Sequence, residues 1–190
     1  MSELSVGDQV LVVDQSEILK FSKVVSFLHK IESIDANFKR IHYNSSAEDQ
    51  NKLNYITLTD KHLILVGKPQ PNNTFNFVPA REVRIGDMLK YYDYNRKISK
   101  MVTVTKVENV GLEKSGIYSP LTEQGTIVVD NIHVSCYSMI KNHKVAQFFF
   151  NLLNSLSDVF KLTSSSYVNY SKILFDMLDF AQLTSFFLNI

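Results

Sequence analysis

Tyr55-Ile56-Thr57-Leu58-Thr59-Asp60-Lys61-His62-Leu63-Ile64-Leu65-Val66 is read first, because its two apolar, β-prone runs flank a polar break. Tyr55 to Leu58 and Leu63 to Val66 predict a strand, a tight corner and a second strand. Thr59 and His62 sit at the corner. A hydroxyl and an imidazole three residues apart on rigid flanks can both address one backbone amide, the arrangement that a proton donor to a departing amine needs. Thr-x-x-His also arises by chance, and a corner histidine then has a structural or solvated role.

Outward from this stretch the chain repeats itself. Leu4-Ser5-Val6-Gly7-Asp8-Gln9-Val10-Leu11-Val12-Val13-Asp14 and Val83-Arg84-Ile85-Gly86-Asp87-Met88-Leu89-Lys90-Tyr91-Tyr92-Asp93 share one layout, apolar, polar, apolar, Gly-Asp and then a strand, at an offset of 79 residues. A long β run follows each copy, Ile18 to Leu28 in the first and Met101 to Val110 in the second. A third pair closes each half: Tyr55 to Val66, and Gly125 to Tyr137. Gly-Asp turns recur in many β proteins, but three matches in the same order imply duplication. Two related β lobes are expected about a pseudo-twofold axis, with His62 at one corner and Cys136 at its equivalent. Asn37 to Tyr43 alternates and predicts a further strand, with His29 ending the run before it; Phe75 to Val78 predicts a short one.

Composition narrows the function. Twenty Lys and Arg against 19 Asp and Glu, a formal net charge of +1, leave no electrostatic footprint for a nucleic acid. The single cysteine, Cys136, excludes an internal disulfide and any cysteine-based zinc site. No cofactor or metal is implied. The opening Met1-Ser2-Glu3-Leu4 carries no basic and apolar leader, so no secretory signal is read in the chain as written.

Beyond Tyr137 the period changes. Val145, Phe149, Leu152, Leu156 and Val159, then Tyr167, Tyr170, Leu174, Met177, Leu178 and Ala181, form two stripes at helical spacing, with Thr163-Ser164-Ser165-Ser166 between them. The expected organisation is an all-β domain over residues 1–137 and a pair of amphipathic helices over 138–190. The helices are expected to cover the β core; contact with a membrane surface is the alternative, and neither has the uninterrupted apolar length to span a bilayer.

Leu4-Ser5-Val6-Gly7-Asp8, Phe21-Ser22-Lys23-Val24, Leu58-Thr59-Asp60-Lys61-His62-Leu63, Gly116-Ile117-Tyr118-Ser119-Pro120-Leu121-Thr122, Gly125 to Asp130 and Ser135-Cys136-Tyr137 together resemble the Hint domain of Hedgehog-type autoprocessing proteins. The resemblance runs from Leu4 to Tyr137 and more loosely to Ala181, where Tyr170 to Phe180 is similar to the end of the family's sterol-recognition region. It implies a duplicated horseshoe β fold and a cysteine-type self-cleavage. A cysteine heading the domain converts the preceding amide to a thioester, and a sterol hydroxyl then displaces the thioester. The upstream signalling fragment, a partner in cis, leaves carrying the lipid. The resemblance gives His62 the proton-donating role and sets Thr59 on the same amide. It also implies the secretory pathway and an extracellular product.

Two departures from the family's pattern shape the expectation. The family's attacking cysteine precedes the Leu-Ser-x-Gly-Asp block, and in this sequence only Met1-Ser2-Glu3 do. The chain as written is therefore expected to lack the first strand and to be inactive alone. His29 stands where many relatives have an aspartate that activates the sterol hydroxyl; a neutral imidazole can accept that proton too, which leaves the acceptor open between a sterol and another nucleophile. Read without the resemblance, His29 is a solvated strand end and Cys136 an inert core thiol. With it, both join the candidate site, Cys136 as an accessory residue. The alternative function is a catalytically dead module that binds a lipid or a protein.

Overall fold

The computed structural model describes residues 1–44, 54–69 and 74–138. The helices expected over 138–190 and the loop expected over 44–52 fall almost wholly outside these residues, as does most of the turn expected at 69–74.

The described residues form nine strands: β1 Gln9–Val13, β2 Leu19–Tyr43, β3 Tyr55–Thr59, β4 His62–Gly67, β5 Phe75–Pro79, β6 Met88–Asp93, β7 Ile98–Thr122, β8 Thr126–Val129 and β9 Ile132–Ser138. Hydrogen-bonded neighbours run β1-β2-β7-β6-β4-β9-β8, with β3 added to β2 and β5 to β4. Among the described residues one 3-10 turn, Ala80–Glu82, interrupts the β structure.

The repeat seen in the sequence is a repeat of hydrogen bonds. Gly7 N–H donates to the Val24 carbonyl at 2.8 Å and Val24 N–H to the Asp8 carbonyl at 2.8 Å; in the second half Gly86 donates to Val104 at 2.9 Å and Val104 to Asp87 at 2.8 Å. Each Asp side chain closes its own turn, Asp8 accepting from Ser5 N–H at 2.8 Å and Asp87 from Arg84 N–H at 2.9 Å. Both glycines hold positive φ, 100° and 91°, which L side chains avoid. The repeat therefore fixes where glycine is needed and which strand each turn feeds.

β2 and β7 pair antiparallel with each other from Val24↔Thr122 to Tyr43↔Val104. Each has 25 residues and, drawn straight, would span about 80 Å. Five register shifts interrupt the pairing, and bulges of this kind twist and bend a ribbon. They also break the alternation of apolar residues, which is why the sequence reads as two separate strands, Ile18 to Leu28 and Asn37 to Tyr43. These are one strand. His29 lies inside it, opposite Ser119 of β7, and does not end it.

The core alternates along the strands. Val12, Val24, Ile41, Ile56, Leu63, Ile64, Leu89, Val104, Leu121, Ile132 and Val134 are buried, as is the whole of Tyr137. Burial of each such aliphatic side chain contributes about 1.5–3 kcal/mol. The Thr126 hydroxyl donates to the Val13 carbonyl at 2.8 Å and so ties the start of β8 to the end of β1.

Candidate functional site

Only Asp60 and Lys61 separate β3 from β4, yet the two strands belong to different ladders. β3 pairs with β2 through Phe38↔Thr59, whereas β4 pairs with β5, β6 and β9. Arg81 N–H donates to the Asp60 carbonyl at 2.9 Å and holds the corner. The corresponding β8–β9 connection is built differently. There Val129 and Ile132 pair directly across Asp130 and Asn131, both at positive φ, which closes a two-residue hairpin of the favoured twist. The first corner is thus open, and its ends, Thr59 and His62, line a cleft of about 510 Å³.

His29 and Cys136 line the same cleft, so all four candidate residues read from the sequence are brought together. They arrive from four strands, β2, β3, β4 and β9. Met1 and Ser2 also reach the cleft, and Lys30 Nζ donates to the Leu4 carbonyl at 3.1 Å, holding the segment that leads there.

The His62 ring is fixed through Nε2, 2.8 Å from the Ser135 carbonyl oxygen. A carbonyl only accepts, so Nε2 carries a proton in every state that keeps this bond, and Nδ1 is the nitrogen left to exchange one. A bulge makes the contact available. His62 pairs with Ser138 and Ile64 with Val134, so one residue of β4 faces three of β9, and the Ser135 carbonyl meets a side chain where a ladder partner would otherwise stand. Burial holds the His62 pKa below the usual histidine value; the Ser135 carbonyl pulls the other way, and the nearby His29 lowers it further. Burial also lowers the pKa of His29.

Cys136 is not at the corner equivalent to that of His62. It lies four residues into β9, inside a strand. Its thiol is buried, and burial pushes its pKa up to about 11. The Thr122 hydroxyl donates its one proton to the Thr126 carbonyl at 2.8 Å, so at the 3.7 Å contact between Thr122 Oγ1 and Cys136 Sγ the thiol is the donor. A protonated, enclosed thiol is a poor nucleophile.

Two residues not singled out as candidates complete the arrangement. The buried Ser119 hydroxyl donates to the Cys136 carbonyl at 2.8 Å, and the Ser135 hydroxyl accepts from Tyr137 N–H at 2.9 Å. Small hydroxyl residues inside β runs carry no periodic signal of their own. Only their place in the Gly116 to Thr122 and Ser135-Cys136-Tyr137 blocks marked them.

Residues 1–181 match the Hint module family. Warthog protein 6 of Caenorhabditis elegans is 35% identical over 161 residues, covering 84% of this chain and 25% of that protein. Sonic hedgehog protein of Xenopus laevis is 32% identical over 171 residues, covering 88% of this chain and 35% of that protein. The chain thus spans between a quarter and about a third of the length of these two relatives. Among solved structures, an intein from a hyperthermophile superposes with a TM-score of 0.52 at 18% identity, over 67% of this chain and 70% of the intein, a likeness of fold. The all-β architecture, the duplicated Gly-Asp units and these matches agree: the chain belongs to the Hint module family, as a Hint domain of the Hedgehog and intein type.

Proposed function

We propose that the chain is the autoprocessing domain of a Hedgehog-type precursor, with residues 1–137 as the reactive β domain and 138–190 as a lipid-recognising tail. A thiolate at the head of the domain attacks the carbonyl carbon of the preceding residue, the C–N bond breaks, and the departing nitrogen takes a proton from His62 Nδ1. The product is a thioester. Thr59 holds the same amide before it breaks. An alcohol oxygen, from a sterol or another lipid, then attacks the thioester carbon. His29 accepts the hydroxyl proton and the thiolate leaves, so the upstream fragment departs as an ester. Loss of an amine from carbon is hard without protonation, which is why the first step needs an imidazole placed in advance. Cys136 takes no covalent part and packs the cleft wall. The route belongs to the secretory pathway, with an extracellular product.

The observation that carries this reading is the convergence of His62, Thr59 and His29 on one cleft, with the His62 ring held by the Ser135 carbonyl. The test is a reporter joined through a cysteine-bearing strand ahead of Leu4. Thiol is expected to release the reporter, and a sterol is expected to appear covalently on it. A folded fusion that stays intact under thiol overturns the reading.

A second reading is a module that binds a lipid or a protein without reaction. In this reading the cleft of about 510 Å³ holds the ligand and no thiol reacts. Flotation of the 190-residue chain with sterol-containing liposomes, and loss of flotation in a chain ending at Tyr137, would support it.

A further inference from the structure

Around the His62 ring the backbone of β9 is held from two sides. The Ser135 carbonyl accepts from His62 Nε2, and the next carbonyl along, that of Cys136, accepts from the Ser119 hydroxyl, each at 2.8 Å. Successive carbonyls of a strand point in opposite directions, so one residue's oxygen faces β4 while the next faces away from it. At this place β9 is bulged against β4, so that ladder does not fix its height; on the other side Ser135 pairs with Thr126 of β8 and Cys136 N–H donates to the Gly125 carbonyl at 2.9 Å. Ser119 is 3% exposed and sits opposite His29 in the β2–β7 pairing. A single hydroxyl therefore ties β7, the ladder partner of the strand that carries His29, to the carbonyl neighbouring the one that orients His62.

We propose that Ser119 is a positioning residue for His62: by holding the Cys136 carbonyl it keeps the Ser135 carbonyl on His62 Nε2, which fixes the tautomer that leaves Nδ1 to exchange the proton. The inference rests on the autoprocessing reading for its kinetic consequence, and its structural half stands apart from that reading. Without the Ser119 bond, β9 loses one of the ties that hold it at the bulge, the Ser135 carbonyl moves off Nε2, and Nε2 and Nδ1 then compete for the proton of the neutral ring. The bond from the carbonyl also favours the imidazolium, so its loss moves the titration of His62 to lower pH.

Two measurements test this. In the 190-residue chain, ring nitrogen NMR shifts are expected to show His62 protonated at Nε2 when neutral, and a mixture of tautomers in Ser119→Ala. Ser119→Cys, of similar volume but a much weaker donor, serves if the alanine variant does not fold, and is expected to show the same mixture. Ser119→Thr, which keeps the hydroxyl, is expected to restore the single tautomer. In the reporter fusion at saturating thiol, Ser119→Ala is expected to slow release about tenfold, the scale of losing one buried hydrogen bond. Its rate is also expected to fall off at lower pH than the parent's, where His62 loses its proton. One tautomer in both folded donor-poor variants, or an unmoved pH limb, overturns the proposal. A parent fusion that never releases overturns the autoprocessing reading instead, and the tautomer measurement still decides the role of Ser119.

Discussion

The Ser135 carbonyl oxygen lies 2.8 Å from Nε2 of His62, although 73 positions separate the two residues in the chain. Each comes from the closing unit of a different half of the duplication, so the contact exists only because the halves are packed together. The duplication gave two similar β3–β4 and β8–β9 connections, and they have diverged. One closes into a hairpin. The other stays open and presents a hydroxyl and an imidazole to the cleft, with a bulge in β9 turning a carbonyl toward the ring.

His62→Ala is expected to reduce thiol-induced release from the reporter fusion by about 10²- to 10⁴-fold, the usual contribution of a positioned general acid. Thr59→Ala should cost about tenfold, as a lost hydrogen bond to the reacting amide would. Rates from quenched time courses, with circular dichroism to confirm folding, measure both. A His62→Ala fusion releasing at the parent rate would remove this ring from the mechanism.

Acid should destabilise the domain in a window set by its histidines. The folded-state pKa values of His62 and His29 lie below the ordinary 6.5, so the unfolded chain binds protons that the folded chain resists. Stability from these groups is present above pH 6.5 and is lost as pH falls through their folded values. Urea midpoints measured from pH 8 down to pH 5 should fall, and His62→Gln should flatten the fall. Glu108 acts separately. Hydrogen bonds from Lys106 and His42 hold its carboxyl at about 2, so its contribution disappears only as pH drops below its ordinary 4.5.

The duplication was legible because it is local: each Gly-Asp turn needs a glycine at positive φ and an aspartate that caps it, and both needs are written within a few residues. The corner at Thr59 and His62 was legible for the same reason. Other features depended on partners remote in sequence. His29 reads as a strand end because polar Glu32, Ser33 and Asp35 follow it, yet β7 supplies the pairing that carries β2 through this stretch. The strand position of Cys136 follows from the register of β8 on β9, and the part played by Ser119 from a contact between β7 and β9. The resemblance located the site; packing decided how its members touch.

Cys136 is expected to resist alkylation in the native chain at pH 8, since burial holds its thiol protonated until about pH 11. Iodoacetamide should label it only after unfolding, as read by mass spectrometry. Cys136→Ala should leave release in the reporter fusion within a few-fold of the parent while lowering stability by about 1–2 kcal/mol, the scale of a small core truncation. Rapid native labelling would mean that the cleft wall opens at β9.

The two turn glycines provide a test of the duplication itself. At Gly7 and Gly86 an added Cβ would meet nothing within 4 Å, so alanine there introduces no clash and its effect isolates backbone strain. Both residues hold φ near +90°, and both donate to the strand that returns past their turn. Gly7→Ala and Gly86→Ala should therefore each destabilise by about 1–2 kcal/mol, the cost of forcing an L residue into positive φ. Because the sites share no hydrogen-bond partner, the double variant should lose the sum of the two. Denaturant midpoints of the four proteins measure this. Equal single penalties that add would show that the two turns carry the same load in their own halves; a neutral Gly86→Ala beside a costly Gly7→Ala would mean that the second turn has kept the form of the first without its strain.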